Sequence, residues 1–502
     1  MGNPPFSGAR WMGKEQKDDM FSVFGKDWQG VGDLDYVTAW YKKAMDYVLA
    51  AKNAKVAKCV EDGSLRQTKV AFVSTNSICQ GGAVANLWKP LFAQGLEIDF
   101  AHRTFRWDNE SFEKAHVHCV IVGFHVRKET PTVGALAQTL ARPTGSATPN
   151  LPSAALRCIP APQLCVSQPQ NRRSVSIASD ESELKTKTIF DGDRAIPATH
   201  INGYLMDAPD AWVESRTKPL CDVPEIGMGN QPIDDGNYLF TKEEMNTFLK
   251  KEPKAAKCFH PWYGAEELIN GKCRYCLWLG DCVQSELFLM PECLKRVQAV
   301  REFRLDSKRA STKKLADRPT RFQTENFPKD HYIVIPEVSS EKRRYIPMGY
   351  LSPEVLCSNK LRIMPDATPF HFGVLMSSVH NAWVRAVCGR LKSDYDYSIK
   401  IVYNNFPWPA CLATKNSEDA KEEDESLRTL RYLRQKIEQS AQAILDARAL
   451  YPDASLADLY DEVTMPPRET TATSVVPPPM STIMLPVGSV TGRSAPMAAA
   501  MG

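Results

Sequence analysis

No run of 18 or more apolar residues occurs in the chain, so a membrane-spanning helix is not expected. The opening residues, Met1-Gly2-Asn3-Pro4-Pro5, carry no basic segment leading into an apolar one, so an ordinary signal peptide is not expected. Cysteine is not concentrated anywhere. The 14 cysteines are spread over 502 residues, which argues against a disulfide framework and for reduced thiols in a cytosolic protein. Charge of one sign is lacking as well: the net charge is +3, so local clustering must carry any argument about nucleic acid. Internal repeats are absent. Residues 130–179 contain no Asp, no Glu and no aromatic residue, while Pro, Ala, Ser and Thr recur. Such a stretch cannot bury enough apolar surface to offset its ordering entropy, and it is expected to be disordered or inserted. The Pro-, Met-, Thr- and Ser-rich residues from about Pro466 onward carry the same expectation.

What remains has material for two or three globular domains. Apolar groups at Leu34, Val37, Trp40, Tyr41, Met45 and Val48 predict an amphipathic helix over 33–50 with Asp33 as its N-cap. Lys69-Val-Ala-Phe-Val-Ser-Thr75 reads as a buried strand, Gln80-Gly81-Gly82 as a turn, and Ala83 to Phe92 as a helix. Strands over 97–103 and 117–123 follow, so this region is an α/β sheet ending in a hairpin. Residues 186–410 form a second unit, and a stripe at Leu427, Leu430, Leu433, Ile437, Ala441 and Ile444 predicts a helix docked on it. Cys273-Arg-Tyr-Cys276 has the spacing of one zinc dyad, with Cys258, His260 and Cys282 nearby. Cys258-Phe-His260 makes a poor second dyad, however, and Cys276 lies in an apolar run, so core cysteines and no metal site are expected. His102, His371 and His380 sit among apolar neighbours and read as structural, and Trp383, Phe406 and Trp408 as core.

The sharpest signal is Asn3-Pro4-Pro5-Phe6. Methylating an exocyclic amine is hard because its lone pair is delocalised into the ring. Two acceptors aimed at the amino hydrogens make the nitrogen more tetrahedral and nucleophilic. An Asn side-chain oxygen and the next carbonyl can supply both, prolines hold the turn rigid, and an aromatic at the fourth position can stack on an extruded base. The motif is followed by the 33–50 helix, Phe72-Val-Ser-Thr-Asn-Ser77, Phe100-Ala-His-Arg-Thr-Phe-Arg-Trp107 and Val117-His-Cys-Val-Ile-Val-Gly123. Further on come Tyr204-Leu-Met-Asp-Ala-Pro-Asp210, Arg343-Arg-Tyr-Ile-Pro347, Val387-Cys-Gly-Arg-Leu-Lys-Ser-Asp-Tyr395 and Tyr403-Asn-Asn-Phe-Pro-Trp-Pro409. Over roughly 1–127 and 186–464 this succession resembles the adenine-N6 DNA methyltransferases of the large single-chain type II restriction–modification enzymes.

The resemblance implies a partial Rossmann-like S-adenosylmethionine-dependent methyltransferase sheet (1–127), followed by an inserted segment (128–185). After these it implies an α+β target-recognition domain (186–415), a helical extension (416–464) and a tail (465–502). It implies methylation of adenine in a specific site of double-stranded DNA, with Asn3 and the Pro4 carbonyl holding the amino group, Pro5 stiffening the turn and Phe6 stacking on the base. Members of the family carry a glycine-rich cofactor loop upstream of this motif, whereas only Met1 and Gly2 precede Asn3 here. The cofactor-binding half and the strand delivering Asn3 are therefore expected to be missing, supplied by an N-terminal half or a separate chain. The alternatives are a DNA-binding specificity fragment without catalysis and a non-functional remnant. Residues 295–344 hold fourteen Lys or Arg against seven acids, a net of +7 in a chain of +3. Within a recognition domain this points to phosphate contact, and Lys308, Arg309, Glu341, Arg343 and Arg344 are the chosen DNA-contacting residues, Arg reading guanine and Glu accepting from cytosine.

Overall fold

The computed structural model describes residues 1–58, 68–107, 117–127, 187–409 and 425–465. The expected insertion at 128–185 and the expected tail from 466 lie outside the described residues. The chain opens with helices α1 (Lys14–Phe24) and α2 (Thr38–Lys58). Strands β1 (Lys69–Thr75), β2 (Leu96–Trp107), β3 (Val117–Val126), β4 (Lys187–Asp191) and β5 (Arg194–Ala198) then build one sheet in the order β1-β3-β2-β4-β5. The β2–β3 hairpin expected from the sequence is antiparallel, and β3 lies between β2 and β1. At the open side of β1, Gly2 forms a parallel bridge with Phe72, donating from its N–H to Ala71 O (3.0 Å) and accepting from Val73 N (3.0 Å). One residue of a delivering strand is thus present just before Asn3, contrary to the expectation that none would be.

The predicted stripe is buried, Leu34 and Val37 in the segment leading into helix α2 and Tyr41 and Met45 on the helix itself. Its start is not at Asp33, which sits in a short 3-10 turn (Val31–Asp33). The Thr38 hydroxyl donates to Asp35 O at 2.7 Å as α2 begins. Tyr41 is the anchor. Its ring lies 5.2 Å from Phe72, 5.3 Å from Trp88 and 5.6 Å from Phe124, and its hydroxyl shares a 2.8 Å hydrogen bond with Ser74. Each such aromatic pair adds about 0.5–1.5 kcal/mol beyond area burial, so Tyr41 holds the strand beside which the motif stands.

Beyond β5 come β6 (Gly227–Met228), β7 (Leu239–Phe240), β8 (Phe259–Tyr263), β9 (Arg274–Leu277) and the helix Pro291–Asp306. They are followed by β10 (Tyr332–Pro336), β11 (Val338–Ser339), β12 (Gly349–Leu351), β13 (Leu356–Cys357) and β14 (Leu361–Met364). Helices Pro369–Met376 and Ser378–Val387 lead to the hairpin β15 (Gly389–Leu391) and β16 (Asp394–Asp396). Three small sheets result, β12-β10-β14-β6, β11-β16-β15 and β13-β8-β9-β7. The helix Glu425–Ala449 buries Ile437, Ala441 and Ile444 against Pro369–Met376, as its stripe requires. Gly373 makes that approach possible, since a Cβ there would stand 2.8 Å from Ile437 Cγ2.

Two sequence expectations change. The boundary at 186 separates β4 and β5 from the sheet to which they bond: β4 runs parallel to β2, pairing Phe100 with Thr188 and His102 with Phe190. One continuous core also joins the first unit to residues 333–408 and the C-terminal helix, while helix Pro291–Asp306 and β7 to β9 pack around a separate core. The second change concerns Arg304, counted within the basic surface. It is fully buried, and its guanidinium donates to Pro232, Ile233, Leu315, Arg318 and Arg321 carbonyls at 2.7–2.9 Å. All five N–H groups of the fork are used internally.

Candidate nucleic-acid and base-binding site

The Asn3-Pro4-Pro5-Phe6 motif leaves the sheet at the carboxyl end of the Gly2 bridge, alongside β1. Pro4 is buried, whereas Asn3, Pro5 and Phe6 are exposed, Phe6 by 37%. A buried proline seats the turn while Asn3 and Phe6 remain available to a ligand. The chain beyond is fixed by Asp35. One of its carboxylate oxygens accepts from Ala9 N (2.9 Å), and the other accepts from Thr75 Oγ1 (3.2 Å) and from the Ser77 hydroxyl. Ser7 O accepts from Tyr36 N at 2.9 Å. Asp35 thereby clamps the motif loop to the end of β1, a role the sequence reading did not assign. Its signal was an acid two residues beyond the expected cap, just where α2 starts.

The same end of β1 meets the hairpin β15–β16. Gly81, at φ +53°, packs so closely on Gly389 that a Cβ at Gly81 would lie 3.4 Å from the Gly389 backbone. At the hairpin's root Asp396 is held above the usual carboxylate range mainly by burial and by Glu337, against the opposing charges of Arg362, Arg10 and Lys360. Arg10, on the motif loop, is therefore within electrostatic reach of the hairpin. Beside the root lies a cleft of about 340 Å³, lined among others by Gln80, Arg103, Asp191, Arg385, Cys388 and Arg390. Arg103 pairs with Asp191 (3.0 Å) and donates to Leu205 O (3.2 Å). Burial pushes the Cys79 and Cys388 thiols in this cleft up to about 12, so they stay neutral.

The chosen DNA-contacting residues fall into two groups. Glu341, Arg343 and Arg344 lie in the loop after β11, next to the hairpin: Glu341 N donates to Asp394 Oδ1 (3.4 Å), Arg390 Nη1 stands 3.8 Å from the Glu341 carboxylate, and Arg385 donates to Arg344 O (2.6 Å). Glu341 and Arg344 are exposed, and Arg343 is half-buried with its Nε buried and unpartnered. Lys308 and Arg309 are exposed after the helix Pro291–Asp306, on the separate core. The structure does not gather them with the 341–344 loop.

Among the described residues no group of three or more His, Cys, Asp or Glu is placed to hold a metal. Cys276 and Cys258 are buried, and burial raises both thiols, while Cys273 is exposed. No described helix is long and apolar enough to cross a membrane. His102 stacks on Phe190 at 4.2 Å, and His371 and His380 are buried.

His380 Nε2 lies 2.9 Å from the Tyr397 hydroxyl, and burial lowers its pKa to about 3. The unfolded chain takes up this proton below about pH 6.5 and the native state does not, so native stability is lost as pH falls through that window. Between pH 6.5 and 4 the loss from this group is about 1.4 kcal/mol per pH unit. His380→Gln, which cannot titrate, is expected to flatten the urea-denaturation profile by that slope. Parallel profiles for the two proteins would contradict it.

The fold defines a class: an α/β region with the exposed Asn3-Pro4-Pro5-Phe6 turn at the edge of its sheet, followed by a second unit of small sheets. Residues 1–134 match the family "MmeI, DNA-methyltransferase domain", 207–410 "MmeI, target recognition domain", and 432–475 "MmeI, C-terminal domain". Over three successive segments the chain is thus similar to the domains of MmeI-type proteins. It is 33% identical over 465 residues to DNA methyltransferase A of Bacillus subtilis (strain 168), covering 93% of this chain and 43% of that one. Among solved structures it resembles the type IIL restriction-modification enzyme MmeI, solved in complex with DNA, at 38% identity and a TM-score of 0.70, covering 93% of this chain and 51% of that one. The chain therefore spans about half the length of these relatives. The methyltransferase-domain match runs from residue 1, which gives no support to the expectation of a missing upstream half.

Proposed function

We infer that the chain takes part in site-specific methylation of the adenine N6 amino group in duplex DNA, with S-adenosylmethionine as donor, within a restriction–modification system. The observation that carries this reading is the seating of Asn3-Pro4-Pro5-Phe6. Its backbone is anchored through Gly2 and Asp35 while Asn3 and Phe6 stay open to a ligand beside the recognition unit. The Asn3 side-chain oxygen and the Pro4 carbonyl accept the two amino hydrogens, which localises the nitrogen lone pair, and Phe6 supports the base by stacking. S-adenosylmethionine, when bound, supplies an electrophilic methyl group. The described residues do not fit it well: the Gly81-Gly82 turn is taken up against Gly389 and Ile401, leaving no open glycine cradle at that strand end. That observation favours a second reading, a specificity module that binds DNA without catalysis of its own.

Both readings require DNA contact by the 341–344 loop. Replacing Arg343 and Arg344 with alanine is expected to reduce the slope of log affinity against log salt by about one unit for each lost phosphate contact. If either side chain reads a base, the loss is instead largest for one preferred sequence. A salt titration with unchanged duplex binding would return this loop to a solvated surface.

A further inference from the structure

The hairpin β15–β16 carries an exposed leucine that its own packing does not explain. Leu391 is 58% exposed at the end of β15, and the next residue, Lys392, adopts φ +59° to close the two-residue turn. The turn is braced from behind. Arg390 stacks 4.2 Å over the Tyr395 ring and donates to Ser393 O (2.9 Å), and Asp394 accepts from the Glu341 backbone. A left-handed non-glycine residue costs of order 1–3 kcal/mol and persists where surrounding structure over-determines it. Here the brace presents an apolar side chain outward beside the exposed Lys392, rather than toward any core. The hairpin also spans the two halves of the site. Its root touches Gly81 and lies within reach of Arg10 on the motif loop, while its tip adjoins the Glu341 loop.

Resting on the methylation reading above, we propose that Leu391 is a positioning residue that enters the duplex stack and fills the space left when the target adenine turns toward Asn3 and Phe6. Removing a base from the stack costs a few kcal/mol, and apolar side chains driven between base steps are a general means of offsetting that cost. Lys392, exposed at the turn, meets a flanking phosphate, so the wedge is delivered by charge and retained by stacking contact.

The test uses the full chain. A preferred duplex is selected from a random-sequence pool, 2-aminopurine replaces each adenine in turn, and rising fluorescence with the unmodified protein marks the extruded position. Because Leu391 is exposed, Leu391→Ala should leave the fold intact. It is expected to reduce the fluorescence rise at least threefold and to weaken binding of the matched duplex by about tenfold. Binding to a duplex lacking the base at that position should stay within about twofold, since no unstacking remains to be offset. Leu391→Met should behave like the unmodified protein. An undiminished rise with Leu391→Ala, or equal weakening on both duplexes, overturns the wedge. If the unmodified protein extrudes no adenine from its preferred duplex, the base-extrusion reading fails first and the wedge falls with it.

Discussion

Replacing Asn3 with alanine is expected to lower methyl transfer to duplex DNA by roughly two to three orders of magnitude, the usual cost of losing one preorganised group at a developing charge. The amine must lose its conjugation with the purine ring before it can attack, and the two acceptors favour that rehybridised state over the resting one. Asn3 is exposed and its anchors are backbone groups and Asp35, so the substitution leaves the turn in place. Duplex affinity should stay within about twofold, because phosphate contacts position the DNA and lie elsewhere. Labelled S-adenosylmethionine measures the transfer. The chain is assayed alone and with the N-terminal region of the Bacillus subtilis relative added in trans, with duplex binding followed in parallel. Full methylation by Asn3→Ala would remove Asn3 from the site. A matched loss of transfer and of binding would make it a DNA anchor instead of an amine acceptor.

The sequence displayed some of this arrangement and hid the rest for physical reasons. Helical and alternating periodicities are local, so the buried stripe Leu34, Val37, Tyr41 and Met45 and the strands β1 to β3 were visible residue by residue. The Asn3-Pro4-Pro5-Phe6 motif stood out too, because the proposed chemistry asks for those residue types in that order. Pairing between β2 and β4 was not. A parallel contact across more than eighty residues leaves no local mark, and the boundary at 186 followed composition instead. The hairpin β15–β16 lay within a quoted motif, but its contact with Gly81 arises only when two distant turns meet. Charge counting failed in a different way. It treats every Lys and Arg in 295–344 as surface, and so it could not separate exposed Arg309 from buried Arg304.

That separation has a large consequence for stability. Arg304→Met is expected to destabilise the chain by about 3–5 kcal/mol, since each buried carbonyl left without a donor costs about 1–3 kcal/mol. The guanidinium joins three pieces of chain: the 232–233 loop, the 3-10 turn ending the Ala310–Lys314 region, and the segment at 318–321. Ile233 and Asp235 in that loop have positive φ, and Asp234 is buried and pushed above its ordinary pKa chiefly by burial. Without the five donors, the Pro232, Ile233 and Arg321 carbonyls lose the guanidinium that bonds them, the Leu315 and Arg318 carbonyls keep only a backbone N–H, and a strained loop loses the group holding it. Methionine fills much of the volume, so the effect is one of hydrogen bonding and charge rather than of cavity. Lysine should not rescue the protein, because three donors at a point cannot replace a planar fork of five. Urea denaturation measures the loss. A change below about 1 kcal/mol, typical of a surface substitution, would mean that Arg304 faces solvent after all. Duplex binding separates the two roles independently. At a temperature where the variant remains folded, its salt slope should equal that of the unmodified protein, whereas a slope lower by about one unit would make Arg304 a phosphate contact.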